Sequence, residues 1–367
     1  MINLTIGSGG DYAGPAEAYD FLVTLGPLAD DYTFNLISNV TITAWNAILS
    51  RIDCNGHTVL FTCSFNKANA ETPLSWYRVE LSGANGHMSI IQDLGATVND
   101  KIFVEWWIYK HITNTAIILL SISTQQSSDV MTWGIDNCWF IGTGTAGESG
   151  IGAGNTGHYY DINKVVMYNL NRSLNLFPGG FVPGDDFPDR KHIKNVTIYT
   201  AISGDGVIVG DLAGNNIYFE NVAVFHQGLG VCWDKSVAVA PDRYRITNCS
   251  DDDNTIVTNM TPSATITDCL ANLVIADEIE TLVDTSDDFL KLKIGAITAD
   301  FTREPAGNVN VGDVIKFTPE VALTPGSANL GDSGIAVAGM VVDIRGKAIP
   351  SINGEYPIGA HVQEYST

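Results

Sequence analysis

The stretch Ile135-Asp136-Asn137-Cys138-Trp139-Phe140 decides the fold, because its pattern recurs along the chain. The pattern is an apolar residue, any residue, Asn or Asp, a small apolar residue, any residue and a final apolar residue. Five further segments carry it, in full, shortened or with one departure: residues 162–167, 193–198, 219–224, 246–249 and 266–269. Their first residues follow one another at steps of 27, 31, 26, 27 and 20 residues. This period predicts a solenoid whose coils differ mainly in loop length.

Within each copy, apolar and polar residues alternate up to the Asn, which indicates two short strands that meet at a bend. Asn tolerates the left-handed backbone conformation that such a bend requires, and its side chain can bond to the same position of the next coil. Stacked copies predict an all-β fold, a parallel β-helix with rows of like side chains inside. The predicted structural ladder is Asn137, Asn195, Asn221 and Asn248. Lys164 departs from it, so we expect a break or a loop there.

The sequence divides into three predicted regions. Residues 1–31 form a strand and a capping helix from Pro15 to Leu25, which Gly26-Pro27 ends. Residues 32–275 form the β-helix, and residues 276–367 form a β-rich region that closes the solenoid and helps assembly.

Local patterns add further expectations. Strands are expected around the turn Asn55-Gly56 and in residues 33–37, 76–81, 102–122 and 309–323. Residues 142–157 predict a glycine-rich loop that leaves one coil, whereas residues 278–292 predict a short helix or an irregular crossing.

The charge excludes two classes of partner. The 367 residues include 41 acidic and 19 basic side chains, a formal net charge of −22 and a pI of about 4.4. A polyanion does not collect on nucleic acid or on anionic lipid, so we expect neither as a partner. The first residues lack the basic and apolar pattern of a secretory signal, and no apolar run approaches the roughly 18 residues of a membrane span.

The cysteines predict buried thiols rather than disulfides or metal ligands. Three of them occupy the repeat position that Val fills in other copies: Cys138, Cys249 and Cys269. The other three lack the paired spacing of a zinc site: Cys54, Cys63 and Cys232. We therefore predict six reduced thiols, no metal and no cofactor.

Clustered acidic and aromatic residues are the candidates for catalytic or ligand-binding residues. The acids are Asp251, Asp252 and Asp253, the loop pair Asp185 and Asp186, and Glu105, which Trp106 and Trp107 follow as candidates for stacking on sugars. A glycosidase needs two carboxylates across the scissile bond, and calcium is the other use of such clusters. The alternative is that the Asp runs are solvated caps at solenoid turns.

Two other patterns give only weak support for a functional site. Residues 150–157 resemble a nucleotide loop but lack its Lys-Ser/Thr pair, which favours a turn. The seven histidines show no paired spacing and no nucleophile partner, so we expect mostly surface or turn positions and no hydrolase triad.

The two ends of the chain carry a family resemblance. The start, Ile6-Gly7-Ser8-Gly9-Gly10-Asp11-Tyr12 with Ala16-Glu17-Ala18, resembles the start of bacterial and phage β-helix proteins, and residues 342–350 and 354–360 resemble their closing tail. With the repeat between them, the chain is similar to the right-handed β-helix of pectate lyases and phage tailspikes. These ends cover only about a tenth of the chain.

The resemblance implies a function. It implies a non-enzymatic structural component of a tailed-phage virion, on the particle surface beside capsid or tail proteins, as capsid decoration or a spike. The alternatives are a tailspike that binds or hydrolyses host surface glycan and a bacterial polysaccharide lyase.

A homotrimer is expected, with outward apolar residues in Trp106-Trp107-Ile108-Tyr109, because adjacent bulky residues cannot all face inward on a strand of period two. The alternative is that some of these rings cover a loop of the same chain.

Overall fold

The chain is described from a computed structural model. The structure describes residues 1–269 except 46–50, 70–75, 85, 94, 98, 125–130, 155–158, 178–190, 211–216, 227–228, 236–243, 248, 250, 252, 254, 262–263 and 268. It also describes residues 279–284, 289–294, 302–303 and 317–318.

The N-terminal strand and helix form where the sequence predicts them. β1 (Ile2–Ile6) pairs in parallel with β2 (Tyr32–Leu36), and α1 (Pro15–Leu25) lies between them in the chain. Pro15 occupies the first turn of α1, where no backbone N–H is needed, and Gly26 ends the helix with a φ of 67°. The apolar face of α1 packs on the core, and its Tyr19 ring lies 5.1 Å from that of Trp45.

One parallel sheet of 17 strands winds into the coils of a β-helix, as predicted. Strands within the stack, such as β4, β10 and β13, pair with strands of the coil before and the coil after them, so hydrogen bonds run along the solenoid axis. After β2 the strands are β3 (Val40–Ile42), β4 (Thr58–Thr62), β5 (Arg78–Leu81), β6 (Met88–Gln92), β7 (Lys101–Glu105), β8 (Ile108–His111), β9 (Ile118–Thr124), β10 (Thr132–Ile141), β11 (Ser149–Gly154), β12 (Tyr159–Phe177), β13 (Lys191–Val209), β14 (Ile217–Phe225), β15 (Trp233–Lys235), β16 (Tyr244–Thr247) and β17 (Ala264–Thr267). Two short helices, α2 (Ser64–Ala68) and α3 (Thr255–Thr258), interrupt the coils.

The bends between strands have the left-handed backbone that the Asn pattern predicts. The φ angles of Asn137, Asn195 and Asn221 are 52°, 55° and 58°. Asn221 Nδ2 donates to Asn195 Oδ1 at 2.7 Å, which confirms the ladder between these two coils. Asn248 lies outside the described residues.

The expected break at Lys164 is wrong. Lys164 lies inside β12 and has a φ of 50°, so the bend itself is kept. The ladder passes through the preceding residue instead, because Asn195 Nδ2 donates to Asn163 Oδ1 at 2.8 Å and Asn163 Nδ2 donates to Asp136 Oδ1 at 2.8 Å. The side chain of Asn163 therefore fills the gap that Lys164 leaves.

The interior consists of stacked side chains from successive coils. Tyr109 stacks on Phe140 with ring centroids 4.9 Å apart, and Trp133 stacks on Tyr160 at 4.7 Å. All six cysteines lie within the described residues, and none of them forms a disulfide. Five are buried and Cys269 is half-buried, in agreement with the prediction of small apolar core residues.

Two local expectations need correction. Part of the predicted glycine-rich loop, residues 149–154, is strand β11, which pairs with β9 and β12. At Gly150 a Cβ would lie 2.7 Å from the backbone oxygen of Ser173, so glycine here permits close packing of coils.

After the solenoid, β18 (Ile279–Asp284) and β19 (Phe289–Ile294) pair antiparallel where a short helix or an irregular crossing was expected. β20 (Thr302–Arg303) pairs antiparallel with β21 (Phe317–Thr318). Only β21 lies within residues 309–323, which were predicted to hold strands. The closing motifs at residues 342–350 and 354–360 lie outside the described residues.

Candidate functional site

Alternation along the strands creates a polar outer face on the solenoid. Ile135 points inward, so its neighbours Gly134 and Asp136 face outward. Strand register then places Glu105 beside Asp136 and Asn163 on the other side of it. Polar side chains from three successive coils therefore form one row.

A cleft of about 430 Å³ lies on this face. We call it the acidic cleft; it is lined by Leu60, Phe103, Val104, Glu105, Gly134, Ile135, Asp136, Asp161 and Asn163. Gly134 opens its floor, because a Cβ there would lie 2.9 Å from the half-buried ring of Phe103. The cleft thus combines an apolar floor with three carboxylates and one amide.

Neighbouring side chains hold the carboxylates in place. Thr62 Oγ1 donates to Glu105 Oε1 at 2.7 Å, and Asn163 Nδ2 donates to Asp136 Oδ1 at 2.8 Å. Lys194 Nζ donates to Asp161 Oδ2 at 2.8 Å. All three acids are anchored by residues of the next or the previous coil, which holds their carboxylates in position although Asp161 is exposed.

The carboxyl of Asp136 prefers its protonated form more than an ordinary Asp does. Burial raises its pKa, and the nearby charges of Glu105 and Asp161 raise it further. The charge of Lys164 and the hydrogen bond from Asn163 act in the opposite direction, without cancelling the rise. A carboxyl whose pKa is raised, next to a second carboxyl, is an arrangement that enzymes use for proton transfer.

The same face continues past the cleft over the next coils. Strand register carries the row of Asp161 on to His192 and Tyr218. The rings of His192 and Tyr218 stack with centroids 4.8 Å apart, and His192 Nε2 lies 3.0 Å from Glu220 Oε2. A chain-like ligand lying along the axis would therefore meet aromatic and charged groups coil after coil.

The predicted sugar-stacking residues are not on this surface. Trp107 is fully buried and Trp106 is only 8 % exposed, which makes this prediction wrong. Trp106 has a φ of 61° and lies opposite Asn137, so it is the bend residue of its coil, and the alternation of β7 stops before it. The Trp106 ring lies 5.5 Å from that of Trp76. These rings pack against other parts of the same chain, which was the alternative considered from the sequence. Residues 106–109 therefore form no outward apolar patch.

The structure places the predicted acidic residues in different environments. Glu105 lines the acidic cleft. Asp251 is fully buried, not solvated, and its Oδ2 accepts a hydrogen bond from Ile256 N at 2.6 Å at the start of α3. Asp253 also binds the start of that helix, through Thr255 N at 3.1 Å. Asp252, Asp185 and Asp186 lie outside the described residues.

The structure also reveals a buried His–Glu pair that the sequence did not predict. His111 is 2 % exposed rather than at the surface, and its Nδ1 is hydrogen bonded to Glu148 Oε1. Its Nε2 lies 3.1 Å from Thr113 Oγ1, and Glu148 Oε2 accepts from Gly144 N at 3.1 Å. The pair joins the end of β8 to the loop before β11 and corrects the expectation for this histidine.

Asp136 and Asp161 were missed as site residues because each looks like an ordinary repeat residue. Aligning residues 104–109 with residues 135–140 would have found the pairing of Glu105 with Asp136, but Trp106 in place of Asn hides that copy.

Comparisons with protein-family models, with curated proteins and with solved structures found no match. No helix among the described residues has the length and apolarity that crossing a membrane requires. The acidic cleft is therefore interpreted from its own chemistry.

Proposed function

We propose that this chain is a non-enzymatic structural component of a tailed-phage particle, as capsid decoration or a spike, and that its acidic cleft binds a host surface glycan. The cleft carries the proposal for the ligand. Its half-exposed Phe103 ring offers a stacking surface for a sugar, while Glu105, Asp136 and Asn163 offer oxygens that accept hydrogen bonds from hydroxyl groups. A neutral glycan fits better than an acidic one, because the chain carries a net charge of −22.

The particle role is supported by two features. The ends of the sequence resemble those of phage β-helix proteins, and the coils between them form one hydrogen-bonded stack with a helix packed at its start. A stack of this kind keeps a surface site at a fixed orientation, which suits a protein that must present a binding face.

Glycan binding is tested with the full chain on an array of bacterial surface polysaccharides. Phe103→Ala and Glu105→Ala should each weaken binding at least tenfold, whereas Phe65→Ala, at a ring 37 % exposed outside the cleft, should bind like the wild type. Binding by no polysaccharide, or equal loss in the Phe65→Ala control, would contradict the assignment of the cleft. Mass spectrometry of purified phage particles tests the proposed particle role. Many copies of the chain per particle would indicate capsid decoration, and a few copies would indicate a spike. Absence of the chain from the particles would contradict both roles.

A second candidate function, hydrolysis of the same glycan, is favoured by the raised pKa of Asp136 beside Glu105. Asp136 and Glu105 are register partners on adjacent parallel strands, and retaining glycosidases likewise hold two carboxyl groups close together, about 5–5.5 Å apart. Asp136 would donate the proton to the leaving oxygen, and Glu105 would attack the sugar carbon. Release of reducing ends by the wild type, abolished in both Asp136→Asn and Glu105→Gln, would establish this activity, and its absence leaves a binding role.

A further inference from the structure

Three possible metal ligands meet at the edge of the later coils. His226 directly follows β14, Cys232 directly precedes β15, and Asp253 lies shortly before α3. Among the described residues, their ligand atoms all lie within 4.8 Å of one another, and Cys232 Sγ lies 4.0 Å from His226 Nδ1. We propose that this His226–Cys232–Asp253 cluster binds a divalent transition-metal ion, for which Zn²⁺ is the best fit.

The spacing of the three ligand atoms suits tetrahedral zinc. Bonds of about 2.3 Å to sulfur and about 2.0–2.2 Å to nitrogen and oxygen place neighbouring ligand atoms about 3.4–3.6 Å apart. Since the ligand atoms lie within 4.8 Å of one another, the side chains must close on the ion by up to about 1 Å to reach this geometry. A thiolate, an imidazole and a carboxylate favour zinc over calcium or magnesium, which prefer oxygen ligands alone.

The carboxylate of Asp253 is oriented in advance by its neighbours. Its Oδ2 accepts from Cys232 N at 2.8 Å, so the acid is fixed directly beside the thiol residue. Its Oδ1 accepts from Thr255 N at 3.1 Å and from Thr255 Oγ1 at 2.6 Å. Thr255 Oγ1 accepts in turn from Trp233 N at 2.8 Å. Outer contacts of this kind hold metal ligands in place, and they leave Asp253 Oδ2 a lone pair for the ion.

The surroundings of the cluster are negative, which also favours a cation. Asp205 lies nearby with Oδ1 accepting from Val231 N at 3.1 Å. Burial raises the pKa of Asp205, and the charges of Asp234 and Asp253 raise it as well, while the hydrogen bond from Val231 N and the charge of Arg172 lower it. A bound divalent ion would relieve this repulsion between carboxylates.

Binding has a defined chemical balance. The Cys232 thiol releases its proton to solvent as the sulfur–metal bond forms, and the thiolate and carboxylate together neutralise the two positive charges of the ion. Three protein ligands leave a fourth position for water, the arrangement of open rather than closed zinc sites. Because His226 and Asp253 are half-exposed, the ion can reach the site from solvent.

The test is a titration of the metal-free full chain with Co²⁺, followed by the absorption that a thiolate–cobalt bond produces, and then displacement by Zn²⁺. We expect one ion per chain in the wild type. Cys232→Ala should abolish the thiolate–cobalt absorption, and His226→Gln and Asp253→Asn should each weaken binding at least tenfold. Cys54→Ala removes another buried cysteine, distant from the cluster in sequence, and should leave the titration unchanged.

Far-ultraviolet circular dichroism establishes that each variant is folded, and His226→Gln keeps the test valid if Cys232→Ala does not fold. Zn²⁺ should raise the melting temperature of the wild type and of Cys54→Ala but not of the three cluster variants. The proposal is overturned if the wild type gives no thiolate–cobalt absorption, or if that absorption persists in folded Cys232→Ala.

Discussion

Substitution of Asn221 tests the ladder, because this residue combines a special backbone conformation with a buried side-chain hydrogen bond. Asn221 is 0 % exposed, has a φ of 58° and donates to Asn195 Oδ1 at 2.7 Å. Asn221→Ala removes the bond, leaves the Asn195 oxygen without this donor and places a Cβ-bearing residue without a compensating side chain in the left-handed region.

The two effects have separate magnitudes. Loss of the hydrogen bond costs about 1 kcal/mol, and the left-handed conformation costs an ordinary residue about 1–2 kcal/mol. Asn221→Ala should therefore lower the free energy of unfolding by about 2–3 kcal/mol. Asn221→Gly is the matched variant, because it loses the same bond without the backbone strain and should be the more stable of the two.

Urea unfolding, followed by circular dichroism and by tryptophan fluorescence, measures both variants. Coincident transitions from the two probes are required before free energies are compared, because long repeat arrays can unfold in parts. If Asn221→Ala unfolds at the same urea concentration as the wild type, the ladder contributes nothing and the reasoning fails. If Asn221→Gly is less stable than Asn221→Ala, backbone strain in the left-handed conformation does not determine the residue preference at this position.

Four further outcomes are expected. Glu148→Ala should destabilise the chain by about 3–5 kcal/mol, since it leaves a buried partner, whereas Glu80→Ala at a partly exposed ion pair should cost about 1 kcal/mol or less in the same urea assay. Cys249→Val should change stability by less than about 1.5 kcal/mol, and a larger loss would show that the thiol is not merely a core hydrophobe. The folded-state pKa of Asp136 is raised, so the contribution of this group to stability falls as pH rises from 3.8 through the raised folded-state pKa. Asp136→Asn should therefore become more stable relative to the wild type over that range, and parallel pH profiles would disprove the shift. The homotrimer stays a prediction without an identified interface, and light scattering should give about three times the 39.4 kDa chain mass, not a stable monomer.

The repeat was predictable because its information is local. Asn at residues 137, 195 and 221 marks bends wherever the surrounding residues alternate, and Pro15 with Gly26 marks the ends of α1. These features require only the conformational preferences of single residues and the period of the pattern.

The functional surfaces were not predictable in the same way. Trp106 adopts the bend conformation of an Asn, so the coil at residues 104–109 escaped alignment and Glu105 was not matched with Asp136. The buried pair of His111 with Glu148 joins residues 37 positions apart, and its position depends on loops of irregular length. Contacts between side chains of different coils follow from the register, which a single sequence does not display until every coil has been aligned.

The direction of the strand pairing has a mechanical consequence. Because backbone and ladder hydrogen bonds both run along the axis, a force that pulls the two ends apart loads them lengthwise and breaks one coil boundary at a time. Each coil of 27 residues then releases a tether of about 90 Å when fully extended. A force across the axis acts instead on many covalently continuous strands at once. The molecule should therefore yield in steps under axial tension and resist lateral load, a difference that single-molecule pulling from two pairs of attachment points would resolve.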